Sequence, residues 1–282
     1  MAKIENINPL CTPGSLFVDK TCIDCWTCYH IAPEIFKADE FSKSYVSMQP
    51  ADEADWKKAK EAILSCPVNS IGTTNTNLNQ VESTLPRKII DSIYYCGYTS
   101  KDSYGASSYF ITHPEGNILV DSPRFTPKLV KEIESLGGIR YNILSHKDDI
   151  ADHHKFHHHF KCERIIHRYE VETDTNDCEI ILEEEKNITL YSDLVVLFSP
   201  GHSAGHLIIL FKKKFLFTGD QLFYDHNKDK LFASKDLNWF SWQKQIESLK
   251  NLNQYDVEWI FPGHGGWCNK NSNQIKLEIL SF

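Results

Sequence analysis

In the first seventy residues the apolar positions form a few short runs and one amphipathic stretch. Leu16-Phe-Val-Asp19 reads as a short strand, and Ile35-Phe36 with Ser44-Tyr-Val-Ser47 reads as a small hairpin. Over residues 52–65 the period lengthens, and Trp56, Ala59, Ile63 and Leu64 fall on one helical face. Asp52, Glu53 and Asp55 load the first turn with negative charge, which suits the helix dipole, and Pro67 stops the helix. Cys66 is therefore delivered at its C-terminal end.

From Gly72 to Leu85 the chain is rich in Thr and Asn and has no period, so it reads as a flexible tether. This predicts a domain over residues 1–72, a linker over 73–85 and a domain over 86–282, folding separately. In the last of these, β-branched and aromatic runs alternate with helices. Strands are predicted at residues 108–112, 117–120, 141–144, 194–198, 207–211, 215–217 and 257–261. A helix starts at Thr126-Pro127, buries Leu129, Val130, Ile133 and Leu136, and ends at Gly137-Gly138. A second starts at Ser241. Buried strands with interspersed helices predict a layered α/β domain.

Composition narrows the function classes. The net charge of −8, without any Lys- or Arg-rich block, argues against a nucleic-acid groove and suits docking on a basic redox partner protein. No apolar run is long enough to span a membrane, and the first residues lack a signal-peptide core, so a cytoplasmic protein is expected. Of the nine cysteines, Cys11, Cys96, Cys162, Cys178 and Cys268 are scattered, as free thiols are in a reducing compartment.

The other four form a pattern. Cys22-Ile-Asp-Cys25-Trp-Thr-Cys28 can turn three sulfurs toward one point, and remote Cys66-Pro67 can close the site. A C-x₂-C-x₂-C run with a distant C-P is an iron–sulfur ligand pattern, whereas zinc knuckles use paired spacings. There is room for one cluster. Residues 28–36 and 62–71 around these cysteines resemble the single-cluster [4Fe–4S] ferredoxins. That resemblance implies a small α+β ferredoxin-like domain holding one [4Fe–4S] cluster on Cys22, Cys25, Cys28 and Cys66.

Four strands of the second domain run into metal-binding side chains. After Leu144 comes Ser145-His-Lys-Asp-Asp-Ile-Ala-Asp-His153; after Phe198, Ser-Pro-Gly-His202; after Phe217, Thr-Gly-Asp220; after Phe261, Pro-Gly-His264. This series resembles the metallo-β-lactamase superfamily, an αββα four-layer sandwich, from Pro86 to about Cys268. By that resemblance Asp152, His153, His202, Asp220 and His264 match the family's ligands, and Asp121 its structural aspartate. The first motif departs from the family's His-x-His-x-Asp-His. In strict register from Asp152-His153, Asp148 and Ile150 stand where the two histidines belong. If the loop instead carries two extra residues, His146 is the first histidine, and Asp148 or Asp149 replaces the second. The flavodiiron branch of the superfamily also has a carboxylate in this motif. The implied cofactor is one or two metal ions, zinc or iron. The run His154, His157, His158, His159 reads as the exposed face of the following helix.

Three functions follow as expectations. The first is a metallohydrolase acting on a small ester, thioester, lactam or phosphoester, in which metal-bound water attacks and Asp152 holds or deprotonates it. Tyr98, Tyr104, Tyr224 or His206 would steady an oxyanion. The second is an oxidoreductase whose cluster supplies electrons to iron in the second domain. The third is a non-enzymatic electron-transfer or sensing module on a degenerate scaffold.

Overall fold

A computed structural model describes residues 2–282. The N-terminal part pairs the strands Leu16–Val18 and Ile71–Thr73 antiparallel, adds the hairpin Phe36–Ala38 with Ser44–Val46, and carries the helices Thr27–Ile31 and Glu53–Ser65. The second of these helices is capped by Asp52, whose side chain accepts the Asp55 N–H, with Glu53 and Asp55 in its first turn.

The rest is a sandwich of a seven-stranded and a six-stranded sheet. The first runs in the order Ile180–Leu182, Glu163–His167, Tyr141–Ile143, Ile118–Val120, Tyr109–Ile111, Ile93–Tyr95, Arg87–Ile90. The second runs Ile188–Tyr191, Leu194–Phe198, Leu207–Phe211, Phe215–Gly219, Trp259–Pro262, Cys268–Asn269. Alternation along the second sheet explains the layering. Ile209, Phe211, Phe215, Phe217 and Phe261 point inward to the main core. Ile208, Leu210, Leu216 and Ile260 point outward, where Leu249 and Leu252, Ile275 and Ile279 of the two C-terminal helical segments cover them. On the other side, the helix Pro127–Ser135 packs Leu129, Val130 and Ile133 into the main core, and the helix His153–Phe160 adds Phe156. The αββα order is thus complete.

The predicted tether is not free. Gly72 lies within a strand, residues 76–80 form a 3₁₀ turn, and Lys60 Nζ donates to the carbonyls of Leu78 and, more closely, Val81. Buried Glu61 pairs with Arg87 at 2.9 Å and accepts from Thr84. Arg124 donates to the carbonyls of Leu64 (2.7 Å) and Cys66 (3.3 Å), and Thr99 to that of Ser65 (2.7 Å). One apolar core runs without a break from Leu16 to Phe261. A free tether would leave two independent cores, whereas here residues on both sides of 73–85 share one. Among the described residues, no helix is long and apolar enough to cross a membrane.

Candidate metal centre and cluster site

Cys22, Cys25, Cys28 and Cys66 line a single small pocket together with Thr27, Ser44 and Ser70. Each sulfur has a polar neighbour. Cys22 Sγ accepts from the amides of Asp24 (3.5 Å) and Ser44 (3.4 Å), and Cys66 Sγ from that of Ser70 (3.3 Å). The hydroxyl oxygens of Thr27, Ser44 and Ser70 lie 3.3, 3.0 and 3.3 Å from the sulfurs of Cys25, Cys28 and Cys66. Burial pushes the Cys25 thiol up to about 11 and Cys28 well above its ordinary value. Thiolates here need a cation to hold them, and four sulfurs around one point fit an iron–sulfur cluster. Cys11 does not line this pocket; its sulfur accepts from the amides of Val18 and Val46.

The second site stands at one edge of the sandwich, where strands of both sheets end. Tyr141–Ile143 leads to His146, Leu194–Phe198 to His202, Phe215–Gly219 to Asp220, and Trp259–Pro262 to His264. His146 is fully buried. Ser145 Oγ lies 3.0 Å from its Nδ1, while the Ser145 amide donates to Asp121 Oδ1 at 2.8 Å. This fixes the ring and leaves Nε2 aimed into the site. That Nε2 stands 3.8 Å from Asp148 Oδ2 and 4.0 Å from Asp220 Oδ2, and His264 Nε2 is 3.6 Å from the same Asp220 oxygen. Two triads have ligand atoms mutually within 4.8 Å: His146, Asp148 and His202, and His146, Asp149 and Asp220.

Buried polar atoms without partners mark the same place: His146 Nε2, Asp149 Oδ2, both ring nitrogens of His202, and Asp220 Oδ1. Each would cost about 1–3 kcal/mol if left unsatisfied, so their concentration at one point fits a cation. Burial lowers His146 and His202, keeping their imidazoles neutral and able to ligate. Burial, with Asp220 and Asp121 nearby, raises Asp149 well above the carboxylate range, which a cation would reverse.

Outer residues brace the ligands. Glu170 Oε1 accepts the Gly205 amide at 2.6 Å and its Oε2 the Lys147 amide at 3.2 Å, tying the His146 loop to the His202 loop. The Asp220 amide donates to His206 Nε2 at 3.3 Å, so His206 orients a ligand and does not face an oxyanion. Glu170 belongs to no motif and left no trace in the sequence pattern.

Two expected positions change. Asp152 does not join the site. Its Oδ2 accepts the Phe125 amide at 2.8 Å and its Oδ1 pairs with Lys155 at 2.7 Å. Ala151, in the left-handed region at φ 29°, reverses the chain and turns Asp152 away. Asp149 takes the place beside Asp220. His153 borders the cleft and its Nε2 is buried without a partner, but its Nδ1 lies 3.5 Å from Arg164, its ring is tilted against that of His154 at 3.9 Å, and it joins neither triad. His146 and Asp148 meet in one triad, as the longer loop expects of them, whereas Asp152 and His153, which that loop would also bring to the metal, stand outside both triads. Of the tyrosines, Tyr104 borders the cleft, whereas the Tyr224 hydroxyl donates to Asp229 at 2.7 Å. In the histidine-rich helix, His158 and His159 are exposed as expected, whereas His154 and His157 are half-buried, against Arg164 (2.9 Å) and the Cys162 carbonyl (2.8 Å).

The two sites share a wall. A cleft of about 800 Å³ opens over His202, Asp220 and His264, and Cys25, Trp26 and Tyr104 also line it. Tyr104 OH donates to the Ile23 carbonyl at 2.6 Å and lies 3.0 Å from Asp24 Oδ1, while its ring meets the His264 ring edge-on at 6.4 Å.

Residues 103–264 match the metallo-beta-lactamase superfamily. The chain belongs to that superfamily. Residues 18–73 match the 4Fe-4S single cluster domain of ferredoxin I, so an N-terminal ferredoxin-like domain precedes the superfamily domain. No curated protein matches the sequence. Among solved structures, the metallo-beta-lactamase of Hirschia baltica aligns with a TM-score of 0.53 at 17% identity, covering 68% of this chain and 94% of that one. That of Pontibacter korlensis aligns at 0.52 and 16%, covering 69% and 98%. VMB-1 aligns at 0.52 and 18%, covering 69% and 95%. At these identities the likeness is one of fold. For this superfamily member the additional ferredoxin-like domain forms part of the cleft wall.

Proposed function

We propose that this protein is an oxidoreductase in which a ferredoxin-type [4Fe–4S] cluster serves an iron site in the metallo-beta-lactamase fold, acting on a small substrate in the shared cleft. The carrying observation is Cys25, which lines both the cluster pocket and the cleft over His202, Asp220 and His264. Hydrolysis has no use for an electron carrier there.

Cys22, Cys25, Cys28 and Cys66 would hold the cluster. His146, Asp148, Asp149, His202, Asp220 and His264 would hold one or two metal ions. Three imidazoles and three carboxylates without a thiolate make a donor set that suits iron as well as zinc. Bound iron would supply a one-electron couple, which zinc lacks. The chain's own residues do the rest. Ser145 and His206 orient ligands, Glu170 keeps two ligand loops in register, and Trp26, Tyr104 and Trp239 wall the space in which substrate would sit. Electrons would reach the cluster from an external redox partner protein.

The test is elemental analysis and EPR of anaerobically purified full-length protein, before and after dithionite. Iron in excess of four per chain, with a second-site signal that changes on reduction, supports this reading. Four irons with zinc in the second site overturns it and favours a metallohydrolase. An empty second site overturns it in favour of a non-enzymatic module.

A further inference from the structure

Thr27 lines the cluster pocket, and its single hydroxyl touches both a cluster cysteine and the segment that leads toward the second site. It is buried, and its Oγ1 lies 3.3 Å from Cys25 Sγ and 3.1 Å from the Gly105 carbonyl oxygen. Gly105 is pressed against the cysteine loop. A Cβ there would stand 2.5 Å from Cys25 Cβ, 2.9 Å from its Sγ and 3.2 Å from Pro67 Cγ, and φ is +88°. The Gly105 segment in turn holds a ligand loop. The Ser107 amide donates to the Gly263 carbonyl at 2.6 Å, Tyr109 OH donates to that of Pro262 at 2.8 Å, and His264 follows.

We propose that the Thr27 hydroxyl is a redox-linked positioning group. It donates to the Gly105 carbonyl when the cluster is oxidised and to the Cys25 sulfur when the cluster is reduced, so that the electron count of the cluster sets the hold on the loop leading to His264. This rests on the four-cysteine ligation proposed above, but not on the identity of the second metal. An added electron increases the negative charge on the cluster sulfurs, and a hydrogen bond to a charged acceptor is roughly twice as strong as one to a neutral carbonyl. With free thiols, Cys25 Sγ donates to Thr27 Oγ1 while that hydroxyl donates to the Gly105 carbonyl; cluster ligation removes the thiol proton, and the sulfur 3.3 Å away then becomes an acceptor for the same hydroxyl. The electron comes from an external one-electron donor. No covalent bond forms or breaks, and the hydroxyl proton stays on its oxygen. A donor that favours the reduced form raises the cluster's potential.

Two measurements on anaerobic full-length protein test this. The first is the cluster midpoint potential, from an EPR-monitored dithionite titration, for wild type, Thr27→Ser and Thr27→Val. Thr27→Val is expected to shift it downward, and Thr27→Ser to keep it near wild type. The second is amide exchange of Gly105, Ala106 and Ser107 in oxidised and reduced wild-type protein, which needs no variant to fold. Exchange is expected to quicken on reduction. An unchanged midpoint in a Thr27→Val protein that retains its cluster overturns the proposal, as does wild-type exchange that is the same in both redox states. A wild type lacking any cluster signal overturns the four-cysteine reading as well.

Discussion

Asp149 and Asp220 each offer a carboxylate oxygen within 4.8 Å of the other and of a ring nitrogen of His146. Gly263 leaves the room for this: a Cβ there would stand 2.6 Å from Asp220 Oδ1 and 3.0 Å from Asp149 Oδ2. Two carboxylates this close in a buried site repel, and a cation between them turns repulsion into binding.

His146→Ala and Asp149→Asn should therefore each lower the metal content of the second site. Asp152→Asn should leave it unchanged, at a stability cost below about 1 kcal/mol, since the amide oxygen still accepts from Phe125 and only the exposed ion pair with Lys155 is lost. Metal per chain by elemental analysis, beside a denaturant titration, separates the two effects. Metal loss in Asp152→Asn with His146→Ala unaffected would restore the shorter-loop register.

Glu170 carries a different expectation, because it touches no proposed ligand side chain. Glu170→Ala frees the Lys147 and Gly205 amides and should weaken metal affinity about 10–100-fold, as loss of an outer-sphere brace does. Competition with a chelator of known affinity reads this directly. Wild-type affinity in a folded variant would show that the two loops hold their register without the clamp.

For the cluster, Cys25→Ala should abolish the visible absorbance and EPR signal of anaerobic protein. Cys11→Ala should keep both, because its thiol bonds only to backbone, accepting the amides of Val18 and Val46 and donating to the Val18 carbonyl. Stability in that variant should fall by about 1–3 kcal/mol for the amides left unpaired. A cluster lost with Cys11 and kept with Cys25 would reassign the ligands.

A chain starting at Pro86 is expected to aggregate. It leaves Arg87 without Glu61, Arg124 without its two carbonyl acceptors, and part of a continuous apolar core bare. Light scattering under conditions that keep the whole protein monodisperse decides this, and a monodisperse, metal-binding fragment would show the contacts to be dispensable.

The fifth expectation concerns acid. Burial raises the Glu179 carboxyl, but hydrogen bonds and charge from buried Arg164 outweigh it and bring it down to about 2. Because the folded value lies below the unfolded one, this pair stabilises the protein above about pH 4.5 and loses its effect as pH falls toward about 2. The stability gap between wild type and Glu179→Gln, from urea midpoints, should close across that window. A gap independent of pH would assign the loss to packing.

The sandwich was largely legible because its central strands, such as Leu207–Phe211 and Phe215–Gly219, are buried on both faces and read as continuous apolar runs. Arg87–Ile90 escaped notice because it is an edge strand with Arg and Lys in its four residues. The site was legible as residue types at strand ends, which is how His146, His202, Asp220 and His264 were found. The choice among Asp148, Asp149 and Asp152 was not legible, since it depends on the left-handed turn at Ala151. Nor was the packing of residues 73–85: Asn- and Thr-rich composition looks the same whether or not Lys60 reaches across to the carbonyls of Leu78 and Val81.

The contact between Gly105 and Cys25 also constrains inheritance. Where a connector alone joins two domains, recombination can exchange either one, and each can drift at its own pace. Here any side chain at position 105 would collide with the cysteine loop of the other half. Substitutions near the contact must therefore be matched across it, and a transplanted ferredoxin-like domain would have to bring a loop of the same shape. At this contact, exchange of either half alone meets a steric barrier that a bare connector would not impose.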